Sequence, residues 1–300
     1  MKSLSDYKPY EVVYIDGMNL VSRSYFGMPE LSYHGHKTGI LFGFTRLALD
    51  LRQKNPGIDM VVVWEGSDSW RKKKYPIYKA QRHDSKTPEE TKEFFDGVEQ
   101  LKKYLPIIGM RQCYAETYEA DDVVATLAPS DKRKSLYSSG DWDWWSLVNF
   151  GDVYYQHSFI VTREDMDKKF KKKFNADPVP ADRLWLFKAL TGDPSDNISG
   201  VPRFPKKLAS WLCNSLPQTH DNLERNIALL LRRVGKDVWE EKLRMNSWIL
   251  KRNIELITMG GVPLDSIVWV DSNYSCEGFS DILLKSGMET LYDRLKGGSK

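Results

Sequence analysis

Two hydrophobic periods alternate along the first half of the chain. Residues 12–15 and 60–64 are short runs apolar at every position, the pattern of strands buried on both faces of a parallel sheet. Residues 135–138, which follow Lys132, Arg133 and Lys134, and residues 153–155 are weaker strand candidates. Leu41, Phe44, Leu47, Ala48 and Leu51 recur at helical spacing and predict a helix over 39–52. A second helix is predicted over 89–104, with Thr87 as its N-cap and Pro88 at the first helical position. This alternation predicts an α/β fold, a mostly parallel central sheet flanked by helices. After about residue 175 the strand pattern gives way, and 180–190, 208–216, 223–234 and 238–257 all predict helices. The expected organisation is an α/β core over 1–175 with a helical subdomain over 176–300 packed on it.

Composition adds little to this picture and removes several alternatives. A 300-residue chain with 41% hydrophobic and 12% aromatic residues can bury a sizeable core. Its net charge of +3 is nearly balanced, so the placement of charge carries more information than its sum. Cys113, Cys213 and Cys276 are far apart and form neither a CxxC nor a Cys/His quartet. That pattern argues against a disulfide framework or a zinc site and predicts free thiols in a reducing compartment. The N-terminal MKSLSDYKPYE lacks the apolar core of a signal peptide, and no apolar run approaches membrane-spanning length. A soluble cytoplasmic protein is expected.

The carboxylates are not scattered. Asp16 follows the first apolar run and Glu65 the second. Glu119, Asp121 and Asp122 lie in YEADDVVATLA, Asp141 and Asp143 in SSGDWDWWSLV, and Asp193 and Asp196 in LTGDPSDNISGVP. Open α/β sheets bind ligands outside the carboxyl ends of their strands, where several of these acids fall. Each cluster also has a plain structural reading. Asp16 or Glu65 could be a turn acid, with Asp68 competing for the second role. Glu119 to Asp122 could be first-turn acids of a helix, Asp141 an N-cap, and Asp193 and Asp196 turn residues. Taken together, so many like charges need a cationic partner, and oxygen-only ligands suit Mg²⁺ or Mn²⁺. Metal-assisted phosphodiester hydrolysis is the leading reading.

Basic charge is clustered elsewhere. WRKKKYPIYKAQRHDSK holds Arg71, Lys72, Lys73, Lys74, Lys79, Arg82 and Lys86, with Tyr75 and Tyr78 interleaved. Positive charge beside rings suits single-stranded nucleic acid; a solvated basic loop is the alternative. The run from Lys168 to Lys173 reads as a solvated face anchored by Phe170 and Phe174, with a duplex-phosphate contact as the alternative. Trp142, Trp144, Trp145, Trp185 and Trp211 are read as core residues.

In order, IDGMN, YKAQR, EADD, SGDWD and GDPSDNISGVP resemble the motifs of the 5′-nuclease (flap endonuclease) superfamily, over about residues 10–260. That superfamily includes stand-alone phage 5′→3′ exonucleases and the N-terminal domain of bacterial DNA polymerase I, and the stand-alone phage type is the expectation here. The resemblance implies a PIN-like core whose metal-site acids are Asp16, Glu119, Asp121, Asp122, Asp141, Asp143, Asp193 and Asp196. Glu65 falls where the family usually has Asp. Residues 69–105 would form an arch over the site, with Arg71, Lys72, Lys73 and Lys74 near DNA, Lys79 and Arg82 in the active site, and Tyr78 stacked on a base. Residues 200–212 fall where the family has a helix–three-turn–helix element that holds duplex phosphate, often with potassium. Here Arg203 and Pro205 replace the usual glycines, which puts the potassium site in doubt. Arg203, Lys206 and Lys207 would instead supply side-chain charge.

The expected activity is hydrolysis of DNA bearing a 5′ flap, 5′ overhang or free 5′ end, in replication or repair, by two Mg²⁺ or Mn²⁺ ions. Asp16, Glu119 and Asp121 would belong chiefly to the first ion, and Asp141, Asp143 and Asp196 to the second. Asp16, Asp121, Asp141, Lys79 and Arg82 are the expected catalytic residues. A separate DNA polymerase or single-strand-binding protein is a further conceivable partner. The alternatives are a PIN-like ribonuclease and a DNA-junction scaffold without catalysis.

Overall fold

A computed structural model describes residues 9–80, 87–156, 158–216, 223–233 and 235–297. Its centre is a seven-stranded sheet formed by β1 (Val12–Asp16), β2 (Asp59–Val63), β3 (Arg111–Tyr114), β4 (Ser135–Ser139), β5 (Gly151–Tyr155), β6 (Phe159–Val161) and β7 (Val268–Val270), in the order β7-β3-β2-β1-β4-β5-β6. The five inner strands are parallel, and only the outer strands β6 and β7 run antiparallel to their neighbours. The expected mostly parallel α/β sheet is therefore present.

Side-chain alternation divides the core. Val12 and Tyr14 point to one face and Val13 and Ile15 to the other, so β1 contributes to both hydrophobic clusters. On the first face lie α5 (Ala120–Leu127), α6 (Arg163–Phe174), α7 (Leu184–Thr191), α8 (Lys206–Ser215) and α11 (Ser247–Ile257). The second face is covered by α1 (Gly17–Gly27), α2 (Gly39–Lys54), α4 (Pro88–Tyr104), α12 (Cys276–Lys285) and α13 (Glu289–Gly297). Register places the strand ends level: Asp16 pairs with Val63, and Ile15 with Ser138. The loops after β1, β2 and β4 therefore open at one rim of the sheet.

Several expectations hold closely. Thr87 caps α4 in a reciprocal box, its hydroxyl accepting from the Glu90 N–H at 3.2 Å while the Glu90 carboxylate accepts from the Thr87 N–H at 2.9 Å. The helix expected over 238–257 is broken into α10 (Asp237–Met245) and α11, because the Asn246 side chain donates to the Lys242 carbonyl at 2.7 Å and its backbone leaves the helical region. The division at residue 175 does not follow the contacts. Val268–Val270 pairs with β3, and Phe279, Ile282, Leu283, Leu291 and Leu295 join the core face of α2. The stretch after residue 262 thus returns to the sheet. Among the described residues, no helix is long and apolar enough to cross a membrane. All three cysteines are free.

Candidate metal centre

The rim carries the first group of acids because each ends a strand or starts a helix. Asp16 is both the last residue of β1 and the N-cap of α1. Its Oδ1 accepts from the Asn19 N–H at 3.0 Å and its Oδ2 from the Ser139 hydroxyl at 2.7 Å. Gly17 is required next, since a Cβ there would lie 2.5 Å from the Trp64 ring. Asp141 caps the 3₁₀ helix Trp142–Asn149, accepting from the Asp143 N–H at 3.0 Å, and its own N–H reaches Ser139 Oγ at 3.0 Å. Glu119 caps α5, and Asp121 in the first turn accepts from the Trp144 indole N–H at 2.6 Å. Asp16, Glu65, Glu119, Asp121 and Asp141 line one cavity of about 210 Å³ together with Lys79 and Asn19. That volume has room for several waters or a hydrated cation, a water occupying about 30 Å³.

The electrostatics of this proximal cavity are unbalanced. Burial pushes the Asp16 carboxyl up to about 7, against the hydrogen bonds from Ser139 and Asn19, and Glu65 and Asp141 push the same way. Burial, then Asp141 and Asp16, hold Asp121 well above the usual carboxylate range. Glu119 differs: burial raises it, but Lys79 and Arg71 outweigh burial and leave it lowered. Lys79 Nζ donates to Glu119 Oε2 at 2.9 Å. Lys79 has a left-handed backbone, φ +55°, fixed by its N–H donating to the Asp196 carbonyl at 3.0 Å and by the Asn197 side chain donating to the Ile77 carbonyl at 2.8 Å. Strain of this kind persists where surroundings over-determine it, often at functional sites.

The basic stretch divides between inside and outside. Arg71 is 2% exposed and pairs with both oxygens of Asp122, Nη2 to Oδ1 at 2.8 Å; it also donates to the carbonyls of Leu256 and Thr258 at 2.8 and 2.9 Å. Asp122 further accepts from the N–H groups of Glu119 and Gly260 at 3.3 and 3.2 Å. Arg71 and Asp122, expected at the DNA and at the metal, instead satisfy each other here in a buried pin between α5, the end of α11 and α3 (Trp70–Lys74). Tyr78, expected to stack on a base, is 4% exposed in this structure, with its hydroxyl 2.9 Å from Glu119 Oε2. Lys72, Lys73 and Lys74 are exposed; Lys73 pairs with Asp68 and Lys74 with Glu255. With Asp68 so engaged, Glu65 is the one that faces the cavity. Arg82 and Lys86 lie outside the described residues.

A second, distal group comprises Asp143, Asp193 and Asp196, which each offer one oxygen within 4.8 Å of the others. Sequence reasoning missed what sits among them. Lys188 Nζ lies 2.6 and 2.5 Å from the two oxygens of Asp143 and also pairs with Asp193. Asp193 Oδ1 meanwhile accepts from the Ser195 N–H at 3.0 Å and its hydroxyl at 2.5 Å. Burial disfavours the Lys188 ammonium, but Asp143, Asp193 and Asp141 outweigh it and hold it charged. The available signal was a lone lysine inside LWLFKALT, an otherwise apolar helix.

Beyond the acids, Arg203 adopts φ +57° in the turn before α8, the left-handed region that glycine favours. Its side chain and those of Lys206 and Lys207 are exposed. Trp144 and Trp145 are core residues as expected, but Trp211 is 36% exposed because it lies on the outer face of α8. Met166 and Phe170 anchor α6 to the core and leave its lysines outward or half-buried.

A family model described as "5′-3′ exonuclease, N-terminal resolvase-like domain" matches residues 11–175. Thermostable DNA polymerase I of Thermus filiformis is 32% identical over 227 residues, which are 72% of this chain and 26% of the polymerase. The chain thus spans about a quarter of that relative's length. Among solved structures, a bacteriophage T5 flap endonuclease pseudo-enzyme–product complex with DNA and metal ions superposes with a TM-score of 0.62 at 17% identity, covering 96% of this chain and 99% of that one. Flap endonuclease-1 from Methanococcus jannaschii gives 0.59 at 14% identity, over 99% and 94%. At such identities the structural likeness is one of fold.

Proposed function

Because the chain belongs to the 5′-3′ exonuclease N-terminal, resolvase-like domain family, we propose that it is a divalent-metal-dependent 5′ nuclease acting on DNA with a free 5′ end or 5′ flap. One observation carries this reading: five carboxylates from four separate segments open into a single cavity at the rim of the sheet. Their donors are all oxygen, and burial together with neighbouring carboxylates raises the proton affinities of Asp16 and Asp121. That donor set fits Mg²⁺ or Mn²⁺. Asp16, Glu65, Glu119, Asp121 and Asp141 would hold the metal, which when bound lowers the pKa of water and stabilises charge on a phosphate.

The remaining roles belong to the chain's own groups. Ser139 and Asn19 fix the orientation of Asp16, and the Trp144 indole fixes Asp121. Lys79, aimed into the cavity by its strained backbone, can exchange Glu119 for a phosphate oxygen as negative charge develops there. Arg203, Lys206 and Lys207 offer exposed charge to duplex phosphates. The test is cleavage of a 5′-labelled flap DNA with Mg²⁺ or Mn²⁺, beside single-stranded RNA. Wild type should cut the flap, and Asp141→Asn should bind it without turnover. Intact DNA under both metals, or preferential cutting of RNA, would remove the proposal.

A further inference from the structure

The two carboxylate groups differ in what neutralises them. In the proximal cavity Lys79 makes one close contact, to Glu119, and stands 3.9 Å from Asp196. In the distal group Lys188 makes three contacts, two to Asp143 and one to Asp193. An ammonium has three N–H donors, so Lys188 is fully satisfied there. Its side chain is 4% exposed. The Trp142 ring lies 4.7 Å from the same nitrogen, offering a second favourable surface for the cation. Asp193 is held in place from the other side by Ser195.

We propose that Lys188 is a tethered competitor for a second divalent ion: its ammonium fills the space between Asp143 and Asp193, so one ion binds tightly at the cavity and a second enters only by displacing Lys188. The inference rests on the metal-dependent reading of the cavity. The physical reason is a difference in cost. An ion entering the cavity relieves repulsion among five carboxylates of which Lys79 closely meets one, Glu119. An ion entering the distal group must break three charge-assisted hydrogen bonds and leave a buried ammonium to find a new partner. Lys188 thereby makes the distal acids a weak, displaceable site.

The experiment is a titration of the metal-free full chain with Mn²⁺, without DNA, reading free Mn²⁺ by electron paramagnetic resonance. Wild type is expected to take one ion tightly and a second at least roughly tenfold more weakly, within the range by which groups around a metal tune its affinity. Lys188→Met and Lys188→Gln should strengthen the second ion by a similar factor, whereas Lys188→Arg should keep it weak. Two ions of equal affinity in wild type would overturn the proposal, and so would an unchanged second ion in a folded Lys188→Met. No tight ion at all in wild type would instead overturn the metal-centre reading beneath it. Should the neutral variants fail to fold, as circular dichroism would report, the wild-type stoichiometry alone decides.

Discussion

Asp16, Asp121 and Asp141 face one cavity, and Asp143, Asp193 and Asp196 gather next to it, only Trp142 separating Asp141 from Asp143 in sequence. Both groups are made of short acids in caps and turns, and both are largely buried. Yet Asp16 and Asp121 are pushed toward protonation, while the distal group is split: burial raises Asp143 to about 7 in spite of Lys188, and Asp193 is held below the usual range, burial opposing it but Lys188 and Ser195 prevailing. The difference lies in one helix. Lys188 reaches the distal group from α7, and among the described residues no cation makes an equivalent close pair with Asp16 or Asp121. Carboxylate clustering alone therefore does not identify where an added cation is needed; the residual imbalance does.

The largest effect that would break this contrast is at the cavity itself. Asp121→Asn is expected to lower the rate of metal-dependent flap cleavage by more than the roughly 10–100-fold that losing a group behind a ligand costs. Binding of the same DNA without metal should be retained or improved, because a repulsive charge is gone. Near-normal turnover in single-turnover assays would mean that the proximal group is not the centre. A comparably large effect, on stability instead of rate, is expected at the third charged cluster. Arg71→Met strands Asp122 in the interior and should cost about 3–5 kcal/mol in urea unfolding, most of it recovered by adding Asp122→Leu. The same change should leave the salt dependence of DNA binding unaltered, whereas Lys207→Ala should flatten it by about one unit of slope. Equal salt slopes for both variants would return Arg71 to the DNA contacts.

What could be read from the sequence was local. β1 and β2 were legible because every residue in them is apolar, and the strand-end acids followed from them. β3 was not, since RQCY looks polar: its Gln112 is buried only because it accepts from the Trp64 indole at 2.9 Å and donates to the Lys102 carbonyl at 3.0 Å. The return of 268–270 to the sheet edge depends on a partner strand more than 150 residues earlier. Charge pairs were hidden for the same reason. Arg71 and Asp122 are 51 positions apart, Lys188 and Asp143 45, and nothing near either lysine or arginine announces its partner. The stretch around Arg71 therefore read as one basic surface, although its first arginine and its Tyr78 face inward.

Acid titration probes both groups together, at intermediate magnitude. The Asp16 and Asp143 carboxyls are both raised to about 7, and Asp121 is raised as well. Between the usual carboxylate range near ~4 and about 7, the folded protein holds protons that the unfolded chain has released. Stability must then fall as pH rises through that window, and the penalty is complete above it. Metal-free protein should melt a few °C higher at pH 5.5 than at pH 8, and saturating Mg²⁺ should abolish the trend. Glu119 and Asp193, which are lowered, act in the opposite sense but below the usual carboxylate range, outside this window. Flat melting temperatures in the absence of metal would show that neither group holds its protons above the usual carboxylate range.

The smallest expected effect separates the groups by their supporting hydroxyls. Ser139 Oγ donates to Asp16 and accepts from the Asp141 N–H, so it ties two cavity acids together. Ser195 serves the distal group alone, through Asp193. Ser139→Ala removes both links and should weaken the tight Mn²⁺ ion about tenfold, the low end for a group that orients a ligand. Ser195→Ala should leave that ion's affinity unchanged in the same titration, because Lys188 still holds Asp193. If both serines weaken the ion equally, the two groups act as one site, and the distinction between an open cavity and a lysine-filled neighbour fails.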